Sequence, residues 1–377
     1  MSIEGLVQEL RAEGHSVHIF TSSYPGYRDS DPNVYRFRAL FTPWTKGYPL
    51  AIPPFYGNLR RFRQNSFDII HTHTPFTLGF IGLRWAESHE IPIVSTYHTL
   101  YEKYAHYVPF FPKRYCRYKI AKHTNYYYNR CLEIIAPSEA AKKSLVRHKV
   151  TKPICVIPSG NPIQRRVTKA DAREAIGARS GERILLYVGR IAKEKNMLVL
   201  LEAIAKVMQE KEDVRFWLVG DGPFRRACQT FSRSLGIGDR VRFVGSVPRQ
   251  DVDAYYLAAD LFVFASMTET QGLVVGEAMS CGVPAVAIHG GGASDGIIND
   301  ENGYIVSNNV GQFAETALRV LNNPSLHGRL SEGAKRSVKR YTMHSMTQEV
   351  LEVYERAIES FQGLKRETVV DDVLQHS

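Results

Sequence analysis

The sequence has no run of about eighteen apolar residues, so no segment is suited to cross a bilayer as a helix. A secretory leader is also missing. Glu4, Gln8, Glu9 and Arg11 occupy the N-terminal stretch where an apolar core would stand, and a cytoplasmic protein is expected. Cysteine is scarce, odd in number and without a CxxC pair. Cys116, Cys131, Cys155, Cys228 and Cys281 are therefore expected to be reduced core residues, not a disulfide or zinc framework. Neither an internal repeat nor a low-complexity segment stands out. What is present is a 377-residue chain, 44% hydrophobic, too long for one ordinary domain and able to fill two cores. The net charge of +10 asks for an anionic partner but suits nucleic acid, an anionic membrane or a phosphorylated small molecule alike.

Short apolar runs alternate with helical-period segments along the chain. Strands are expected at Ser16–Thr21, Asp68–Ile70, Ile93–Tyr97, Ile134–Ala136 and Ile154–Ile157. A second set is expected at Ile184–Val188, Arg215–Val219, Val241–Val244, Leu261–Phe264 and Ala285–Ile288. Amphipathic stretches such as Leu198–Met208, Phe224–Leu235 and Val274–Cys281 lie between them, which argues for α/β units with parallel sheets covered on both faces. The looser passage Pro158–Gly181 separates the sets. The expected division is an acceptor-side domain over 1–160, completed by a helix at 343–362, a second domain over 161–342, and a disordered polar tail over 363–377. The chain opens on a helix, Ser2–Glu13, where a doubly wound sheet would open on its central strand and a glycine-rich turn. A missing first strand, and so an N-terminally truncated domain, is the expectation.

The strongest local signal is Thr268-Glu269-Thr270-Gln271-Gly272-Leu273-Val274-Val275-Gly276-Glu277. Glu269 falls in the loop at the carboxyl end of an expected strand, where α/β sheets bind ligands, and Glu277 falls two turns into the next helix. The backbone amides of Gly272, Leu273 and Val274 would form an anion site at that helix start. The competing reading makes Glu269 a helix cap and Glu277 a solvated charge, but Glu277 sits among residues of core character. A second loop, Gly189-Arg190-Ile191-Ala192-Lys193-Glu194-Lys195-Asn196, follows an apolar strand and offers a guanidinium fork and an ammonium to a diphosphate. An ordinary basic loop would look the same. Gly220-Asp221-Gly222-Pro223 is another strand-to-helix turn, in which Asp221 can act as a cap. In the first half, His98 ends an apolar strand, and His71 and His73 lie in a His-Thr-His run. A lone histidine there is commonly structural, and without an accompanying carboxylate or cysteine no metal site is expected from the three.

Together, the block from Thr268 to Glu277, the Gly189–Asn196 loop, the Gly220–Pro223 turn, the His71–Phe76 segment and the Thr96–Thr99 segment resemble family 4 of the retaining GT-B glycosyltransferases. The resemblance spans nearly the whole chain. It implies two Rossmann-like doubly wound domains facing across a cleft, a nucleotide-sugar donor, and no metal or other cofactor. It assigns the donor ribose to Glu277, the sugar to Glu269 and to His98 of the opposite domain, and the diphosphate to Gly189, Arg190, Lys195 and the amides of Gly272–Val274. Domain closure would assemble such a site. The turn Gly290-Gly291-Gly292 with Asp295 matches a family loop that usually carries Glu. The family's first strand and glycine-rich loop have no counterpart here.

Gln271, and the run Tyr101–Pro109 after His98, resemble more narrowly the bacterial diacylglycerol glucosyltransferases. That resemblance implies UDP-glucose as donor and a lipid acceptor such as diacylglycerol at the inner membrane face. The stretch Phe110–Arg130 mixes Lys113, Arg114, Arg117, Lys119 and Lys122 with Phe110, Phe111, Tyr115, Tyr118, Tyr126, Tyr127 and Tyr128. Such a helix can lie at an anionic membrane surface, or bury its aromatics and leave its cations in water. No nucleic-acid signature accompanies it, and no nucleic-acid partner is expected. The alternatives are transfer to an inositol lipid, a soluble sugar or a polysaccharide, a nucleotide-sugar epimerase, and an inactive truncated remnant.

Overall fold

A computed structural model describes residues 2–27, 29–40, 50–52, 56–103, 112–160, 167–338 and 342–375. The expected features at Tyr104–Pro109, Phe110 and Phe111 lie outside them. The chain divides into two units, Met1–Pro158 with His344–Ser377, and Ser159–Met343.

The first unit opens with helix α1 (Ser2–Ala12) and strands β1 (Ile19–Ser22) and β2 (Val34–Phe37), which pair in parallel. Two short strands, β3 (Ala39–Leu40) and β4 (Leu50–Ala51), pair antiparallel and lead to α2 (Tyr56–Arg63). Then come β5 (Ile70–Thr72), α3 (Thr77–His89), β6 (Ile93–Thr96), α4 (Lys113–Tyr128), β7 (Glu133–Ala136), α5 (Glu139–Arg147) and β8 (Ile154–Val156). These four strands form a parallel sheet in sequential order. Among the described residues β1 pairs only with β2, and β5 only with β6. The central strand expected between them has no counterpart there. The strands β2, β3 and β4 were not anticipated; at two to four residues each they are too short for a periodicity signal.

The last helix, α13 (Met343–Gln375), belongs to this unit and corrects the expected tail, since it runs through 363–375 as a helix. Leu364, Lys365, Arg366 and Glu367 favour helix, and Lys365 reaches Glu90 at 2.6 Å. Closer to its start, α13 docks through Arg356. That side chain presents Nε and Nη2 to the two carboxylate oxygens of buried Glu133 at 3.1 and 3.2 Å.

The second unit begins with α6 (Lys169–Ala175), inside a passage expected to be irregular; Thr168 and Asp171 cap it reciprocally. It continues with β9 (Arg183–Val188), α7 (Met197–Glu210), β10 (Val214–Val219), α8 (Arg225–Ser234), β11 (Val241–Gly245) and α9 (Arg249–Ala258). It ends with β12 (Leu261–Phe264), α10 (Leu273–Ser280), β13 (Ala285–Ile288), β14 (Gly303–Val306), α11 (Val310–Asn322) and α12 (Pro324–Ser337). Its six-stranded sheet is parallel throughout, in the order β11-β10-β9-β12-β13-β14. Helices cover both faces of such a sheet, so Leu185–Val188 and Leu261–Phe264 are buried residue after residue with no alternation.

Arg356→Ala leaves the Glu133 carboxylate in place without its guanidinium partner. The expected cost is roughly 1–3 kcal/mol, read as a lower urea midpoint, and Glu133→Gln in the same background is expected to recover part of it. An unchanged midpoint would show that this contact does not hold α13.

Candidate active site

In the second unit the strand order reverses between β9 and β12. Chain progression runs outward from β9 through β10 and β11 on one side, and from β12 through β13 and β14 on the other. The carboxyl ends of strands at such a switch point leave an open crevice, because their crossovers lie on opposite faces of the sheet. The loops that leave β9 and β12 there are the two singled out from sequence.

They meet directly. Lys195 Nζ, only 11% exposed, lies 2.5 Å from Glu269 Oε1. The Thr268 hydroxyl donates to the Glu194 carbonyl at 3.5 Å. Glu269 therefore caps no helix; its carboxylate is committed to a lysine. The Gly290–Gly292 turn closes the same region, with Gly292 N–H donating to the Glu269 carbonyl at 2.8 Å. Gly272 enters α10 at φ +70°, and a Cβ there would lie 2.5 Å from Ala293 Cα, so both conformation and space require glycine. Arg190 is exposed, and no ion-pair partner faces it among the described residues. Its carbonyl is held from beneath by buried Tyr187, whose hydroxyl donates at 3.0 Å. Asp221, a possible cap on sequence grounds, accepts instead from Gly222 N–H at 2.7 Å and pairs with Arg225 at 3.0 Å. These two contacts hold its pKa below the usual carboxylate value.

Glu277 is 8% exposed, which removes its reading as a solvated charge. Two side chains that the sequence did not suggest hold it. Tyr256, fully buried on α9, donates to Oε2 at 2.7 Å, and Arg249 Nη2 meets Oε1 at 3.1 Å. Burial, and then the neighbouring carboxylate, push the Tyr256 phenol well above its ordinary pKa, so it stays a donor. They precede Glu277 by 21 and 28 residues, and no spacing rule links them to it. Gln271, read from sequence as an acceptor-related feature, clamps the backbone of Ser159 in the same unit. It accepts from Ser159 N–H at 3.0 Å and donates to the Ser159 carbonyl at 3.2 Å.

In the first unit β5 and β6 are adjacent, which brings the two histidine segments together. His73 Nδ1 lies 2.9 Å from His98 Nε2 with the rings stacked at 5.2 Å, so one imidazole donates and the other accepts. His71 bridges Tyr354 of α13 and Thr96 of β6, at 2.7 Å each. Burial holds His71 at about 3 and His98 at about 4, while burial and the adjacent imidazoles keep His73 well below its usual value. All three are neutral at physiological pH. No group of three or more potential metal ligands converges among the described residues.

Helix α4 divides its aromatics between core and surface. Tyr127 and Tyr128 are fully buried, whereas Tyr115, Tyr118 and Tyr126 are about half exposed or more. The reading that buries the aromatics holds for Tyr127 and Tyr128 and fails for the other three.

The chain's matches to known glycosyltransferases make the fold GT-B and the class glycosyltransferase. A model described as "Glycosyl transferases group 1" matches residues 168–337, and one described as "Glycosyltransferase Family 4" matches residues 1–165. The alpha-monoglucosyldiacylglycerol synthase of Streptococcus pneumoniae is 34% identical over 80% of this chain and 69% of its own length. The enzyme of that name from Acholeplasma laidlawii is 30% identical over 90% of this chain and 88% of its own. The Anabaena protein HepE, solved with UDP-glucose, shares the fold with a TM-score of 0.67 at 20% identity, over 86% of each chain. The chain belongs to glycosyltransferase family 4 and is homologous to the glucosyldiacylglycerol synthases.

The neutral histidines make stability depend on pH. An unfolded histidine takes its proton near pH 6.5, whereas folded His71 and His98 wait until about 3 and 4. Between those limits the unfolded chain binds more protons, so stability rises with pH across the window and is lost on acidification. Each such histidine costs about 1.4 kcal/mol per pH unit below 6.5. The urea midpoint of the first unit is expected to drop between pH 7 and pH 5, with a shallower slope in His71→Gln. A wild-type midpoint that stays level over that range would contradict the buried neutral cluster.

Proposed function

We propose that the protein transfers glucose, with retention of configuration, from UDP-glucose to diacylglycerol at the cytoplasmic face of an anionic membrane. The observation that carries the donor half is the convergence of Arg190, Lys195, Glu269 and the start of α10 at the switch point of the second unit. The relatives named as glucosyldiacylglycerol synthases support the acceptor half.

The donor's diphosphate is read as lying over the first amides of α10, between Lys195 and Arg190. Glu269 already neutralises Lys195 and holds it in place, which leaves Arg190 as the cation with an unoccupied fork. Glu277, fixed by Tyr256 and Arg249, presents its carboxylate to the ribose hydroxyls. Glu269 is read as orienting the sugar from the second unit. In the transfer, the acceptor hydroxyl oxygen forms a bond to the anomeric carbon on the face from which the diphosphate leaves. The bond between that carbon and the phosphate oxygen breaks, and UDP departs with the electron pair. The hydroxyl proton passes to the departing phosphate oxygen. The positive groups stabilise the charge growing there, which is electrostatic catalysis and assigns no role to a metal ion. No described helix is long and apolar enough to cross a membrane, and the attachment proposed is peripheral, through Lys113, Arg114, Arg117, Lys119 and Lys122 of α4.

The deciding assay supplies UDP-glucose and diacylglycerol in mixed micelles containing anionic lipid and looks for glucosyldiacylglycerol. Product formed only with soluble acceptors would reject the lipid half. Arg190→Ala is expected to lower kcat by about 10²–10³-fold with an unchanged melting temperature, because this side chain has no ion-pair partner among the described residues to leave behind. Neutralising Lys113, Arg114 and Arg117 together is expected to weaken flotation with anionic vesicles by roughly 1 kcal/mol per cation while donor affinity holds. Flotation equal to wild type would detach α4 from the membrane.

A further inference from the structure

Beside the histidine pair the first unit has an open groove of about 460 Å³, within the range of about 300–1,000 Å³ common for small-molecule sites. Phe76 and Tyr101 form one wall, each three residues past a histidine of the pair, His73 and His98. Ile120 and Tyr126 of α4 form the other. The walls are fixed to each other. His123 Nε2 donates to the Pro75 carbonyl at 2.7 Å, its ring stacks with Phe76 at 5.8 Å, and Phe76 meets Tyr101 edge-on at 5.2 Å. Phe76 is nevertheless 45% exposed and Tyr126 49% exposed, an apolar surface left uncovered inside a preformed concavity.

We propose that this groove holds an acyl chain of the diacylglycerol acceptor, an inference that rests on the acceptor reading above and extends it to a chain-selecting subsite. The exposed lining is almost entirely apolar. Burial pushes the Tyr101 phenol up to about 12, and His123 is committed to the Pro75 carbonyl. A polar ligand would find few partners, whereas hydrocarbon needs none. The charged lining residues are Lys119 and Lys122, and the Lys119 ammonium lies over the Tyr115 ring at 5.4 Å, on the exposed face of α4. No Asp or Glu occurs between Lys103 and Leu132, so the groove opens on a surface complementary to anionic headgroups, the source from which an acyl chain would enter. Its wall residues Phe76 and Tyr101 follow His73 and His98 by three positions each. A glycerolipid whose chain lies against Phe76 and Tyr101 has its free hydroxyl near the residue assigned to the sugar.

The test compares kcat/KM for dioleoylglycerol and dihexanoylglycerol in the same mixed micelles with UDP-glucose. Wild type is expected to prefer the long chain. Ile120→Trp fills the groove and should cut kcat/KM on dioleoylglycerol by about tenfold, the loss expected when roughly two methylenes no longer leave water. The short-chain value should fall much less. Phe76→Ala removes one wall from a half-exposed position and should shrink the same preference; melting temperature and UDP-glucose affinity serve as folding controls. A long-to-short ratio equal to wild type in both folded variants overturns the subsite. That ratio with weakened vesicle flotation would assign the groove to membrane adhesion and overturn it too. If wild type glucosylates neither diacylglycerol, the acceptor reading itself fails, and the groove assignment falls with it.

Discussion

The ion pair between Lys195 and Glu269 joins the two loops on which the donor site depends. Each loop leaves a buried parallel strand at the point where the sheet order reverses, so the two chains diverge to opposite faces and leave a crevice between them. The pair, with the Thr268 contact to Glu194 and the Gly292 contact to Glu269, ties them together. A lysine and a carboxylate that are both mostly buried gain from each other what each loses in hydration, and separation would strand both. In the proposed site a donor diphosphate would meet a lysine already placed, which would reduce the side-chain ordering left for binding to supply.

A similar economy appears one turn further into α10. Glu277 is a carboxylate in a core, tolerable because Tyr256 and Arg249 satisfy both oxygens. Those partners come from α9, which precedes β12, so helix and strand reach the site through one local packing unit. The histidines of the first unit follow the opposite logic. They have no carboxylate, and neutrality is the cheaper state for a buried imidazole whose neighbours are hydroxyls and other imidazoles.

This contrast explains what the sequence could and could not reveal. The loops after β9 and β12 were legible because an apolar run, a glycine and ionisable residues stand together within ten positions. The core character around Glu277 was legible from Val275, Ala278 and Met279. Arg249 and Tyr256 were not, because their link to Glu277 exists only after α9 and α10 pack. The adjacency of His73 and His98 likewise depends on β5 pairing with β6 across α3. Gln271 was visible, but its hold on Ser159 was not, because the two are 112 residues apart in sequence. The helix beyond residue 362 was overlooked for another reason. A polar composition argues against burial, and burial is a different question from helix propensity.

Position bears on what the net charge alone left open. In the second unit several cations are spent internally: Arg183 on Asp213, Arg215 on Glu182, Arg225 on Asp221, Arg249 on Glu277 and Lys195 on Glu269. Among the described residues none of Lys113, Arg114, Arg117, Lys119 and Lys122 has an ion-pair partner on α4 or elsewhere. Helix α4 thus carries five cations without an ion-pair partner among the described residues, beside exposed tyrosines. Single-stranded nucleic acid would need the faces of those rings for base stacking. Lys119 and Arg130 already lie over Tyr115 and Tyr126, at 5.4 and 3.6 Å from the ring centroids. An anionic bilayer makes no such demand. It accepts ring edges at the headgroup level and draws the ammonium and guanidinium groups to its surface, which is the arrangement α4 presents.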